Sequence, residues 1–249
     1  MRRDEFKIEV CAYSVEIAEA AMAAGADRVE LCVAGSEGGL TPSYGLIRRA
    51  KARLPQGVHV LIRPRSGLFT YTEAEKEEML YDIEQAQALG ADGLVVGALT
   101  ANGDIDWDWA RRCRRHTDKS RSLTFHRAFD FCRAPLESVG GLEEEGYDRI
   151  LTSGAAESAP QGAALLKACV EKARRLQIMP GGGVSPQNIA ALALACGARE
   201  FHFSAARPDP HTAEALGMGV PNVPYPEKVR QAIATLSAVV LPSRSCNRG

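Results

Sequence analysis

Two stretches near the N-terminus end alike, Glu9-Val10-Cys11 and Glu30-Leu31-Cys32. In an extended strand, residues two apart lie on one face, so each stretch presents a carboxylate and a thiol together. Adjacent strands lie about 4.8 Å apart. Two metal–sulfur bonds of about 2.3 Å, the zinc–thiolate value, span a similar distance. Cys11 and Cys32 therefore read as a two-thiolate metal site, and soft sulfur at low coordination number favours Cu(I). The alternative is plain packing, since a free cysteine is commonly a small buried hydrophobe.

A second set of residues suits an anion. Arg63, Arg65 and Arg127 carry guanidinium forks that grip a carboxylate or phosphate bidentately. Gly181-Gly182-Gly183 and Ser204-Ala205-Ala206 end two late strand-like runs. In many barrels the loops after the last two strands bind phosphate through backbone N–H groups, which makes Gly182, Gly183 and Ser204 candidates. Glu9 belongs to the same set, and Glu30, His126 or Asp130 would then move the proton. The glycine run also reads as a tight turn with no ligand. A barrel that keeps its scaffold without catalysis is a further alternative.

The elements that hold these residues follow from a repeated pattern. Helix-like stretches end at Gly25, Gly90, Gly146 and Gly197, and each leads within a few residues into a β-rich run. Glycine supplies the left-handed helix cap, and a short link into a strand is the chemistry of alternating α/β units. Four other apolar runs, Lys7 to Cys11, Val58 to Arg63, Leu123 to Arg127 and Ile178 to Gly181, interleave with these. The expected helices are Ser14–Ala24, Pro42–Arg53, Thr72–Leu89, Trp107–His116, Pro135–Glu145, Gln161–Arg174, Pro186–Cys196 and Pro226–Ala238, several with proline near the first turn. Eight alternating units without a linker predict an α/β fold, a (β/α)₈ TIM barrel in a single domain with its core at about 7–238. A doubly wound sheet is the structural alternative. The segment Ala205 to Tyr225 reads as a long loop or lid, and the tail at 242–249 as disordered.

Closure fixes which way each strand residue points. Apolar residues must face the helices, so Ile8, Val10, Val29, Leu31, Val60, Ile62, Leu123, Phe125, Phe201 and Phe203 point outward. That turns Glu9, Cys11, Glu30, Cys32, Arg63, Thr124, His126, Glu200, His202 and Ser204 into the lumen, with Arg65 just above Arg63. Buried charges need partners, so Glu9 and Glu30 are expected to meet Arg63 and Arg65. His59, His116 and His211 read as packing or surface residues, as do Cys113, Cys169 and Cys196.

Bulk properties exclude several classes. The net charge of -1 supplies no basic field for nucleic acid or an acidic membrane surface. No apolar window is long enough to span a membrane, and the charged start at Arg2 and Arg3 runs into a strand rather than a leader's apolar region. The seven cysteines include no C-x-x-C pair, which suits free thiols in a reducing compartment.

Six ordered blocks also carry a resemblance: Lys7-Ile8-Glu9-Val10-Cys11, Arg28-Val29-Glu30-Leu31-Cys32, Glu37-Gly38-Gly39-Leu40-Thr41-Pro42-Ser43, Ile62-Arg63-Pro64-Arg65-Ser66-Gly67, Thr124-Phe125-His126-Arg127-Ala128-Phe129-Asp130 and Leu151-Thr152-Ser153-Gly154. Together they resemble the CutC copper homeostasis family over nearly the whole chain. The resemblance implies a cytoplasmic (β/α)₈ barrel that binds Cu(I), with proposed cysteine ligands matching Cys11 and Cys32 and with Cys132 as an auxiliary candidate. It also implies a homodimer or higher homo-oligomer. Ser66 stands where the family's Arg-Pro-Arg block usually has glycine, and both arginines remain. The gathering of Glu9, Glu30, Arg63, Arg65, His126, Arg127 and Asp130 at one mouth is not accounted for by copper, and suggests an anionic small molecule there.

Overall fold

The computed structural model describes residues 5–214, 216 and 219–241. The expected disordered tail lies outside them. Eight strands alternate with eight helices: β1 (Lys7–Ala12), α1 (Val15–Ala23), β2 (Arg28–Leu31), α2 (Tyr44–Arg53), β3 (Val58–Leu61), α3 (Glu73–Ala88), β4 (Gly93–Val96), α4 (Trp107–His116), β5 (Ser122–Phe125), α5 (Pro135–Glu144), β6 (Arg149–Thr152), α6 (Ala163–Lys172), β7 (Gln177–Pro180), α7 (Ile189–Cys196), β8 (Glu200–Ser204) and α8 (Pro226–Ser237). All neighbouring pairs are parallel, in the order β7-β6-β5-β4-β3-β2-β1-β8. The two end strands, β7 and β8, stand side by side and bring the ring round. This is the TIM barrel, not a doubly wound sheet.

Local chemistry explains the element ends. Ser14, Ser43, Thr72 and Asp106 cap α1, α2, α3 and α4 with side-chain oxygens, and Thr72 with Glu75 completes a capping box. Pro42 therefore precedes the cap of α2 rather than opening the helix. The aspartates after the repeated glycines have a definite task. Asp27, Asp92 and Asp148 accept from the backbone N–H groups of Ile8, Val58 and Leu123 at 2.8, 2.9 and 2.7 Å. Each thus ties the start of one strand to that of its neighbour at the barrel's lower end.

The segment expected as a loop from Ala205 to Tyr225 contains more order than that. Residues Ala206–Pro208 (β9) and Asn222–Pro224 (β10) pair antiparallel, and the Tyr225 N–H closes the base on the Ala205 carbonyl at 2.7 Å.

The outward apolar residues pack against the helices in one continuous core. Inside the barrel, the lower layer is ionic. Glu9 is fully buried. Its carboxylate takes the Arg28 Nε–H at 2.6 Å and faces His202 Nδ1 at 2.8 Å. Arg28 also pairs with Glu200, whose carboxylate takes Arg149 Nε–H at 2.6 Å. His59 stands 3.6 Å from Glu9. The expected pairing of Glu9 and Glu30 with Arg63 and Arg65 is thereby overturned: Arg28, from the lower end of β2, takes Glu9, and Glu30 faces His202 instead. His59, read as packing or surface, is a buried member of this layer.

Burial opposes charge on Glu9, and Arg28 followed by His202 and His59 outweighs it, holding the carboxyl well below its ordinary value of 4.5. The stabilisation from this group is complete above that value and is lost as pH falls through the folded-state one. Replacing Arg28 with Met removes the main partner of a buried carboxylate, for which the typical cost is about 3–5 kcal/mol. A urea titration at neutral pH should show that loss, and a midpoint shift no larger than a surface substitution gives would refute the dependence on Arg28.

Candidate functional site

Above the ionic layer, at the strands' C-terminal ends, lies a cavity of about 350 Å³. Cys11 leaves β1 opposite Glu30 of β2, and Cys32 follows at the end of that second strand. The two sulfurs are 3.3 Å apart. With a Glu30 oxygen, their donor atoms all fall within 4.8 Å of one another.

One imidazole couples this group to the layer below. His202 faces Glu9 through Nδ1, and its Nε2 lies 3.7 Å from Glu30. Burial disfavours the imidazolium, but Glu30, Cys11 and Glu9 together hold its pKa well above the ordinary 6.5. Burial pushes the Glu30 carboxyl well up, against the pull of His202. The Cys11 thiol is also pushed well up, by its contact with Cys32 and then by burial.

The opposite wall is built differently. The His126 Nδ1 accepts the Ala128 N–H at 3.1 Å, so Nε2 carries the proton. That nitrogen has no partner among the described residues. Gly97 makes room for the ring, since a Cβ there would meet it at 2.6 Å. Burial, then Arg63, pushes His126 down to about 3. Arg63 lies over Phe69, 5.0 Å from the ring centre. It donates to the carbonyls of Glu37, Gly39 and Gly67 at 2.6, 2.8 and 3.1 Å, tying two loops together.

The third side carries Arg127, Gly182, Gly183, Ser204 and Lys228. Arg127 Nε donates to Asp130 at 2.8 Å and Nη2 to Ser153 Oγ at 3.0 Å. Asp130 is engaged throughout: besides Arg127 it accepts from Thr152 Oγ1 at 2.5 Å, Ser153 N at 2.9 Å and Ala155 N at 3.1 Å.

Cys11, Glu30, Arg63, His126, Arg127, Gly182, Gly183 and Ser204 thus line one cavity, with Cys32 in contact with Cys11. Three candidates stand elsewhere. Glu9 lies in the layer beneath, Asp130 behind Arg127, and Arg65 outside, paired with Glu75 at 2.5 Å. Cys132 is buried within the helix-facing core, away from the thiol pair. Arg28 and Arg149 went unrecognised in the sequence, although the alternation that turns Glu30 and Leu151 inward also turns them. Phe69 and Lys228 sit on a loop and a helix start, where alternation gives no signal.

The sequence model of the CutC family matches residues 6–207. The chain belongs to the CutC family. It is 49% identical over 203 residues to a CutC family protein of Bacteroides thetaiotaomicron, covering 81% of each chain. It is 45% identical over 203 residues to the human copper homeostasis protein cutC homolog, covering 80% of this chain and 73% of the human one. The crystal structure of CutC from Streptococcus agalactiae superposes with a TM-score of 0.76 at 35% identity, over 80% of this chain and 98% of that one. Phosphoribosyl anthranilate isomerase from Thermotoga maritima shares the fold at a TM-score of 0.60 and 14% identity, over 94% of this chain and all of that one. Among the described residues of this CutC chain, no helix is long and apolar enough to cross a membrane.

The surroundings give three buried imidazoles different charges. Burial lowers His59 to about 4 and His126 to about 3, whereas His202 is raised. Nitrogen-resolved NMR at pH 7 should show His59 and His126 neutral and His202 doubly protonated. A neutral His202 at that pH would break the proposed link between Glu9 and the thiol group.

Proposed function

We propose that this CutC-family protein serves copper homeostasis in the cytoplasm by holding Cu(I) between Cys11 and Cys32. The observation that carries the reading is the 3.3 Å sulfur pair with a carboxylate in reach, beside a cavity open to solvent. The donor set fits a soft, low-coordinate ion. With bonds of about 2.3 Å, an ion on the line between two sulfurs needs them about 4.6 Å apart, and one at 120° about 4.0 Å. The sulfurs must therefore part by roughly an ångström, and the smaller movement favours a bent site that Glu30 could complete. The positively charged His202 offsets the charge of the two thiolates. The odd cysteine count and the unpaired thiols of the described residues support a reducing compartment. A homodimer belongs to the same reading, on the family resemblance alone.

A second reading, an enzyme acting on an anionic metabolite, draws on Glu30. Its carboxyl lines the cavity and burial pushes its pKa up, the direction that suits a proton-exchanging group. His126 would there donate a hydrogen bond, and Asp130 would orient Arg127.

An anaerobic Cu(I) titration against a competing chelator tests the first reading. Wild type should bind one ion, and the Cys11→Ser/Cys32→Ser variant should lose that binding. Equal binding by both proteins would remove the copper assignment. Because the Cys11 thiol is protonated at neutral pH, Cu(I) must displace its proton, so apparent affinity should rise about tenfold per pH unit for each proton released. An affinity flat from pH 6 to 8 would show that the bound ligands were already ionised.

A further inference from the structure

The cavity holds cations that no carboxylate among the described residues pairs. Arg63 and Lys228 line it, and neither has a carboxylate partner among the described residues. Arg63 spends Nη1 and Nη2 on carbonyls, and its Nε has no partner among the described residues. Lys228 Nζ gives one hydrogen bond, to the Ser204 carbonyl at 2.7 Å, and burial lowers its pKa. Arg127 uses Nε and Nη2 and leaves Nη1 free, next to Gly182, where an added Cβ would lie 3.3 Å from it.

The backbone beside these cations is arranged in the same sense. Gly182 and Gly183 have φ of 90° and 72°, a conformation that side chains disfavour. No acceptor among the described residues takes either N–H. His126 adds a buried Nε2–H without a partner in the opposite wall. The cavity is therefore rich in donors, and Glu30 is its one carboxylate. A group with several acceptor oxygens and a negative charge would satisfy donors that the protein leaves unmet.

We propose that the β7–β8 side of the cavity is a binding site for a small phosphate monoester. The phosphate is held by the Gly182 and Gly183 N–H groups, Arg127 Nη1 and Lys228 Nζ, and the body of the ligand lies toward His126 and Glu30. The groups that hold the phosphate do not include the two thiols, and the site does not depend on bound copper. It deepens the enzyme reading by naming its ligand class, but requires no catalysis. At about 350 Å³ the cavity is at the small end of ligand pockets, which suits a short phosphorylated metabolite rather than a nucleotide.

The test is calorimetric titration of metal-free protein with inorganic phosphate and glycerol phosphate, with glycerol and acetate as comparisons. Saturable binding of both phosphates, with neither comparison binding, is expected. Lys228→Met and Arg127→Gln should each weaken it about tenfold or more, the loss that one charge-assisted hydrogen bond brings. Melting temperatures without ligand separate lost binding from lost fold, and Lys228→Met, which removes one hydrogen bond and no ion pair, should keep a cooperative transition within a few degrees of wild type. Cys11→Ser/Cys32→Ser should bind phosphate as wild type does, whatever the copper titration shows. No saturable phosphate binding, equal binding of acetate, affinity unchanged in both cation variants, or loss of binding in the cysteine variant would each overturn the proposal.

Discussion

The upper half of the barrel depends on one fully buried carboxylate, Glu9, placed between a guanidinium and an imidazole. A charge in the centre of a barrel is tolerated only when it is compensated at short range. Arg28 supplies the largest part of that compensation, followed by His202 and His59. Glu30 beside the two thiols, then Cys11 and Glu9, hold the His202 pKa well above its ordinary value, so this one imidazole couples the mouth to the layer below it.

This arrangement divides the interior by function. The lower layer is closed: Glu9, Arg28, Glu200 and Arg149 satisfy one another across four strands. The upper layer is open: two sulfurs in contact on one side, unmatched donors on the other, with space between. A barrel interior is usually filled by branched aliphatic side chains. Here Leu61 and Val95 supply only a small apolar patch beside Cys32, so polar groups reach the cavity with the packing that holds them still. Arg63 contributes to this rigidity more than to charge recognition, because its bonds to three carbonyls join the loops after β2 and β3.

Much of this was legible in the sequence. The inward set at Glu9, Cys11, Glu30, Cys32, His126 and Ser204 followed from the requirement that apolar strand residues face the helices. That requirement is local, so it transfers directly from pattern to structure. The partner assignments failed for the opposite reason. Arg63 and Arg65 lie above the strands, where loop conformation decides the direction of a side chain, and Arg65 turned outward to Glu75. Asp130 looked like a free carboxylate, but a short turn wrapped the backbone of Ser153 and Ala155 around it.

The sequence by itself determined the eight alternating units, the phase of five of the strands and, through six ordered blocks, the family. These depend on periodicity, capping residues and local order, all of which are written along the chain. Only the tertiary structure decided which charges meet, that the sulfurs lie 3.3 Å apart, which imidazole has its pKa raised, and that Lys228, Gly182 and Arg127 line one cavity. Such facts depend on the stagger between strands and on the loops above them. Distances between residues far apart in sequence are set by the closed barrel as a whole, and no local pattern encodes them.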